Sequence, residues 1–464
     1  MPYTIEQVEQ KNPAYDKHIN EWRFFSDSFL GGESYKHGEY LTRYESEVDN
    51  DEAYKARIRQ TPIDNHCASV IQIYNSFLFR ENATRNLGSL KTNPFMDLFL
   101  KDSDTEGRSW NNFIKQANEQ ASVYGQCWVV LDRPNIQYKT QAEELNANVR
   151  PYVSMFTAPN VIDWKYEYSS NGLIELSELK VIEVQSSDFV IYKIFYRDKT
   201  DTVMVNLKNA KREVQLLKSV PNPYNNIHAV ALYARRSNVL GLGHSDISDI
   251  STQQKAIYNE RSEIEQAIRL NVHSMLASES GVQVGPGAGG RCIIPENTEP
   301  ALKPYFLDSN SDIAVIMSSI EHKVDAINTM ANVGSVRATE SKVLSGVALE
   351  TEFQLLNARL AEKADNLELF EEQIFKMFAQ MVSVKYDGEI NYPNSFNIRD
   401  KYVDLNFLQQ AKVSNVNSDT FNREIDKQIA NLTIKEEGLL QDALNEIDSN
   451  DVKTTLLDVS NVNT

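Results

Sequence analysis

The sequence predicts an α+β fold, mainly helical, in which long helices carry a compact insertion and an antiparallel β meander stands apart from them. Three observations carry this. Between about residues 150 and 235 the apolar period is two, as in half-buried strands. Val347 to Asp387 runs without Gly or Pro. Two further helical stretches, each with a narrow apolar stripe, bracket about 40 residues rich in Gly, Pro and short β-type runs.

The first hundred residues read as helical. Tyr54 to Gln60 follows the acidic stretch Asp49-Asn50-Asp51-Glu52, which suits the positive end of a helix. Pro62 reads as the first position of the next helix with Thr61 as its cap, and Ile63, Cys67, Val70, Ile71, Tyr74, Phe77 and Leu78 recur at helical spacing. A third helix is expected from about Ser109 to Tyr124. Gly125 stops it, and Gln126 to Leu131 reads as a buried strand. The runs Leu173–Leu176, Lys180–Val184, Phe189–Tyr196 and Thr202–Val205 read as the strands of a meander, with Ala229–Tyr233 as a last apolar run.

Gly241-Leu242-Gly243-His244-Ser245-Asp246 breaks the chain and caps a helix reaching about Val272. Its stripe is Ile247, Ile250, Ile257, Ile264 and Ile268, interrupted by Gln254 and Arg261. A helix buried in one core shows a wider stripe, of about 100° or more. Asp312 to Asn332 repeats the pattern with Ile313, Ile316, Ile320, Val324, Ile327 and Ala331. These two helices read as a stalk, and the insertion between them as its tip. Packing against copies of the same chain would supply the partners that their thin stripes lack.

Gly334 and Gly346 bound a small, polar stretch that reads as a loop with flexible ends. The long helix that follows shows Leu349, Phe353, Leu356, Leu360, Leu367, Ile374 and Phe378 on one face and spans about 50 Å at 1.5 Å per residue. A strand-like stretch is expected from Ser395 to Asp404. Two short helices then follow, capped by Ser418 and by Thr433 with Glu436, before a polar tail from Ser449.

Composition narrows the function classes. The 464 residues carry 47 Lys+Arg against 65 Asp+Glu, a formal charge of −18, which excludes sequence-independent nucleic-acid binding by the surface as a whole. Hydrophobic residues at 41% and charged residues at 24% are those of a globular chain, and the length suggests two to four folding units. No stretch approaches the roughly 18 consecutive apolar residues of a membrane-spanning helix. The N-terminus lacks the basic and apolar segments of a signal peptide, so secretion is not expected. Cys67, Cys127 and Cys292 are too few and too scattered for a disulfide framework, which suits a reducing cytosol.

No catalytic constellation emerges. Gly285 to Gly290 looks like a phosphate-cradling loop, but the β-type run Arg291 to Pro295 follows where a helix is required. Gly241-x-Gly243 does open a helix, yet it lacks a third glycine, and Asp246 would repel phosphate. The seven histidines include no pair at i, i+4, and Asp308-Ser309-Asn310-Ser311-Asp312 has Ile313 where a calcium loop needs glycine. No catalytic residue, cofactor or metal site is therefore expected. The regular features are those of assembly rather than of a pocket.

The order of parts resembles the portal proteins of tailed double-stranded DNA bacteriophages, which form the ring joining head and tail. The carrying stretches are Trp22 to Gly32, Tyr54-Lys55-Ala56-Arg57 through to Phe77-Leu78-Phe79-Arg80, Gly241 to Ile250, and Ser345 to Phe353. Gly241 to Ile250 looks like the start of the family's first stem helix, and Ser345 to Phe353 like the start of its long helix after the loop.

The resemblance implies a wing over residues 1–244, stem helices over 245–272 and 311–332, and a clip over 273–310 between them. It implies a tunnel loop over 333–346, a long wing helix and strand over 347–404, and a crown with a C-terminal tail over 405–464. It also implies a homo-oligomeric ring of about twelve copies, whose head-to-tail contacts would complete the thin stripes. That ring would sit at one capsid vertex of the virion, after assembly in the host bacterial cytoplasm. Its partners would be double-stranded DNA in the channel, the terminase, a head-tail connector or adaptor protein and the major capsid protein, with no membrane.

On this reading Arg337, Lys342, Ser335 and Ser341 face DNA, Gly334 and Gly346 are the loop hinges, and Arg291 and Lys303 meet the terminase or connector. Net negative charge around the channel would let a duplex slide rather than stick. ATP hydrolysis belongs to the separate terminase, so the chain itself would not be an enzyme. The alternatives are an oligomeric cytosolic enzyme with an inter-subunit active site and, less well supported, an intracellular scaffold built on a coiled coil.

Overall fold

The computed structural model describes residues 3–134, 136, 138, 140–169, 171–208, 212–272, 275–279, 291–294, 305–307, 312–337, 346–393, 396, 401–413, 418–434, 439–440, 443–444 and 446–447. The chain divides into two compact units, Met1–Phe396 and Asn397–Thr464. Helices and mainly antiparallel sheets are mixed in the first, as the α+β expectation requires.

Seven helices occupy the N-terminal part of the first unit: α1 (Ile5–Glu9), α2 (Pro13–Leu30), α3 (Gly32–His37), α4 (Asp51–Gln60), α5 (His66–Leu78), α6 (Pro94–Lys101) and α7 (Trp110–Tyr124). The acids Asp51 and Glu52 fall in the first turn of α4, where the helix dipole favours them. The start of α5 corrects the expectation. The Thr61 hydroxyl donates back to the Arg57 carbonyl (2.8 Å), and Asn65 takes over as cap by accepting from the Ala68 amide (2.9 Å). Pro62 therefore lies in the connection rather than at the helix start. The α7 helix ends at Gly125 (φ 91°), whose amide donates to Ala121 (2.7 Å).

A short strand, β1 (Thr84–Asn86), precedes α6, and β2 (Gln126–Asp132) follows α7. A helix α8 (Gln141–Asn146) then leads to β3 (Tyr152–Thr157). The meander is β4 (Val161–Tyr168), β5 (Ile174–Gln185), β6 (Phe189–Tyr196), β7 (Lys199–Asn206) and β8 (Glu213–Pro221), five antiparallel strands in chain order. The runs around Leu176 and Val181 belong to one strand, β5, which absorbs the irregularity between them as register shifts against its neighbours.

The apolar run β9 (Ala229–Tyr233) does not join the meander but pairs antiparallel with β2, giving a separate sheet of order β3-β2-β9. The burial patterns explain the split. Ala229 to Leu232 and Gln126 to Leu131 are buried continuously, so they need cover on both faces, whereas β6 and β7 alternate and need cover on one.

Next comes α9 (Ser248–Val272), then the short strands β10 (Met275–Glu279), β11 (Arg291–Ile294) and β12 (Tyr305–Leu307), then α10 (Ile313–Ala331). The three strands form one sheet, with β10 central, parallel to β11 and antiparallel to β12. The β-type run expected at Gly281–Val284 lies outside the described residues. The one-turn helix α11 (Gly334–Arg337) follows, then α12 (Gly346–Met381) and β13 (Glu389–Asn391), which pairs with β1.

From Leu356 to Met381, α12 buries Leu356, Leu360, Ala364, Leu367, Phe370, Ile374, Phe375 and Phe378. Phe375 and Phe378 meet Trp110, Phe99 and Phe113 in an aromatic cluster with ring centroids 5.0–5.7 Å apart.

The second unit contains α13 (Lys401–Val413) and α14 (Asp419–Thr433). Residues 401–404, expected to be strand-like, are helical. Ser418 caps α14 by accepting from the Phe421 amide (3.3 Å). Thr433 ends that helix rather than beginning another, and its hydroxyl donates to Ile429 (2.7 Å). Residues 435–438, including Glu436, lie outside the described residues.

Candidate functional site

The two stalk helices are antiparallel, so the start of α9 and the end of α10 lie together, and α12 crosses them there. Asp246, just ahead of α9, is buried and forms an ion pair with Lys363 of α12 at 2.6 Å. Lys363 is 2% exposed at its side chain and also donates to the Ser122 hydroxyl of α7 (3.0 Å). One helical turn away, Arg359 reaches Asp246 at 3.4 Å and donates to the Met330 carbonyl of α10 at 3.2 Å. Its guanidinium also lies over the Tyr74 ring (5.2 Å), while the Tyr74 hydroxyl donates to the Ala331 carbonyl (2.7 Å). Burial opposes the charge on Asp246, but Lys363 and Arg359 outweigh it and hold the carboxyl below the usual aspartate range. The Arg359 guanidinium and the Tyr74 hydroxyl satisfy carbonyls at the end of α10 that no helical partner can reach. Both ends of the hairpin are thereby fastened to α12.

The segment expected to be a loop departs from this junction, and its first part is not a loop. Gly334, Ser335, Val336 and Arg337 form α11, and Gly346 is the first residue of α12. The Arg337 guanidinium donates to Asn328 of α10 (3.0 Å) and points at the His66 Nδ1 of α5 (2.9 Å). In this chain it is therefore half-buried and occupied by protein groups. Lys342 and Ser341 lie outside the described residues, as does Lys303. Arg291 is the first residue of β11.

His66 accepts from a guanidinium and so is neutral in the fold. Burial and the Arg337 and Arg261 charges push its pKa down from 6.5, against the opposing pull of Asp64. Burial likewise lowers His228, although Gln380 and Asp132 act the other way. The unfolded chain takes up these protons below about pH 6.5 while the folded chain does not, so stability falls as pH drops through that value. Denaturant midpoints at about pH 7.5 and about pH 5.5 should show this loss. The double variant His66→Gln/His228→Gln should lose most of the difference. A wild-type midpoint that is unchanged or higher at the lower pH would contradict the assignment.

No protein-family model and no curated protein matches the chain. Among solved structures it is similar to a chain in the virion of a native gene transfer agent particle. That match has 8% identity and a TM-score of 0.42, covering 77% of this chain and 89% of that chain. It is also similar to a chain in the neck of an empty gene transfer agent particle computed with C6 symmetry. There the identity is 9% and the TM-score 0.44, with the same coverage of both chains.

The glycine motif at 241–243 has a packing explanation. Gly241 has φ 82°, and a Cβ there would lie 2.3 Å from the Trp164 indole nitrogen. A Cβ on Gly243 would lie 2.1 Å from the Gly125 carbonyl oxygen, and the Gly243 amide donates to Gln126 (2.9 Å). The two glycine turns need each other's bare backbones. The run 285–290 lies outside the described residues. Among the described residues no three His, Cys, Asp or Glu side chains form a metal-sized cluster, and no helix is long and apolar enough to cross a membrane. Cys67 and Cys127 are buried, and burial pushes both thiols up.

A cavity of about 460 Å³ lies between β2 and the meander. Two of its cations are committed to its own acids, Lys193 to Asp132 (3.1 Å) and Arg133 to Glu144 (2.8 Å).

Sequence reading found the hairpin but missed its fastening. Asp246 was legible as a helix-cap residue, while Arg359 stands 113 positions away. The available signal was an Arg and a Lys at i, i+4 beside the apolar stripe of the long helix, at a spacing that puts both on one face.

Proposed function

We propose that the chain is a portal-type subunit, a non-enzymatic ring-forming conduit for packaging and ejecting double-stranded DNA at one vertex of a virion. The observation that carries this reading is the hairpin of α9 and α10 with its three-stranded tip and apolar side chains left exposed. The stripe residues Ile247, Ile250, Ile257, Ile264, Ile320 and Ile327, expected to need neighbouring copies, are instead buried within the chain itself. Ile268 is 44% exposed, Val315 62%, Met317 49% and Met330 36%. Scattered exposed apolar residues are ordinary, but four along one two-helix projection fit a surface completed by neighbouring copies.

On this reading residues 1–244 form the wing with 347–404, the hairpin is the stem, 273–310 the clip, 333–346 the tunnel loop and 405–464 the crown and tail. The terminase, the connector and the capsid protein dock around the ring, with Arg291 and Lys303 on the clip side. Lys342, with Ser335 and Ser341, meets the duplex, while Arg337 holds the root of the loop to α5 and α10.

The double variant Arg337→Ala/Lys342→Ala tests the loop. Rings should still assemble, while DNA packaged or retained per particle should fall at least about tenfold. Packaging at the wild-type level in intact rings would remove these residues from the mechanism.

A further inference from the structure

We propose that the cavity between the β9–α9 connection and α12 binds a phosphate group. Its volume is about 270 Å³, and Arg235, Arg359 and Lys363 face it together with Asp246 and Glu362. Three cations against two acids is a local excess of positive charge in a chain that carries 65 acids and 47 basic residues. Asp246 and Lys363 neutralise each other at 2.6 Å, which leaves Arg235 and Arg359 against Glu362. Glu362, exposed at the rim, is the one acid that opposes an incoming anion.

The two guanidiniums are not saturated. Arg359 makes its contacts at 3.2 and 3.4 Å, longer than the roughly 2.7–2.9 Å of charge-assisted hydrogen bonds. Packing over Tyr74 nevertheless holds its plane in place. Arg235 is exposed and forms no ion pair among the described residues. Ala234 and Ala358, whose side chains are small, line the same cavity. Two guanidiniums lining one cavity offer planar donor pairs that match the oxygens of a phosphate. The phosphate comes either from a polynucleotide backbone or from a free small molecule, and both meet the same donors. The inference goes beyond the ring reading and does not rest on it.

The test uses the full chain, with inorganic phosphate titrated by calorimetry and a short fluorescent DNA duplex by anisotropy, each at fixed low salt. Arg235→Gln changes an exposed rim residue, and Arg359→Lys keeps the charge but removes the fork. Arg236→Gln is the control, because that guanidinium packs on Tyr233 (5.3 Å) and does not line the cavity. Affinity should fall at least about tenfold in both site variants and stay unchanged in the control. Binding of inorganic phosphate identifies a free-phosphate site. Duplex binding without inorganic phosphate binding identifies a backbone contact. Absence of both in the wild type, or an affinity that Arg235→Gln leaves unchanged, overturns the proposal. The Arg235→Gln result alone suffices if Arg359→Lys folds poorly.

Discussion

Asp246→Ala should destabilise the first unit by about 3–5 kcal/mol, measured as a shift in the denaturant midpoint. The argument is one of unpaired charge rather than of a lost attraction. Lys363 is buried at 2% exposure, and its carboxylate partner lies 2.6 Å away. Removing Asp246 leaves, among the described residues, an ammonium in the interior hydrogen-bonded to the Ser122 hydroxyl, and leaves Arg359 with the Met330 carbonyl and the Tyr74 ring face. A second substitution distinguishes this cause from generic disruption. Asp246→Ala/Lys363→Met removes both buried charges, and should recover much of the loss because an apolar pair of similar volume carries no desolvation cost. If the double variant is as unstable as the single one, the junction is held by packing and the electrostatic account is wrong.

Trp110→Ala should also cost about 3–5 kcal/mol, by opening a cavity in the aromatic cluster. Trp110 is 1% exposed and contacts Phe99, Phe113 and Phe375 at centroid distances of 5.1–5.7 Å. Those rings come from α6, α7 and α12, so the cavity would open where three elements converge. Trp110→Phe should cost far less, about 1–2 kcal/mol. The smaller ring refills most of the space, and the indole N–H it removes is buried without a hydrogen-bond partner among the described residues. Equal losses in the two variants would show that the indole N–H contributes more than its surroundings indicate.

Much of the fold was legible because local chemistry and tertiary context agree. The period-two runs gave β5, β6 and β7 of the meander but not its outer strands β4 and β8, the Gly- and Pro-free run gave α12, and Ser109 to Gly125 gave α7 nearly to the residue. Where the reading failed, a neighbour far away in sequence decided. Pro62 looked like a helix start, but Asn65 offers the better cap and its side-chain nitrogen also donates to Phe29 (2.8 Å). Ala229–Tyr233 read only as a last apolar run after the meander, and its continuous burial places it in a sheet covered on both faces, beside β2.

The candidate site was less legible still. The stretch after Gly334 looked like a loop because it is small and polar, yet Arg337 finds Asn328 and His66 and a helical turn forms around that contact. No local pattern in the chain announces that Arg359 and Lys363 will find Asp246, because that juxtaposition exists only once α12 has crossed the hairpin.

The central claim is that the hairpin's exposed apolar side chains belong to a ring, and native mass spectrometry with negative-stain images down the particle axis tests it most directly. The account predicts closed rings of about twelve copies around a central hole. It also predicts that Val315→Glu/Met317→Glu shifts the population towards monomer without unfolding the chain, since both side chains are exposed in the single chain. A stable dimer or tetramer without a hole, unaffected by those substitutions, would contradict it.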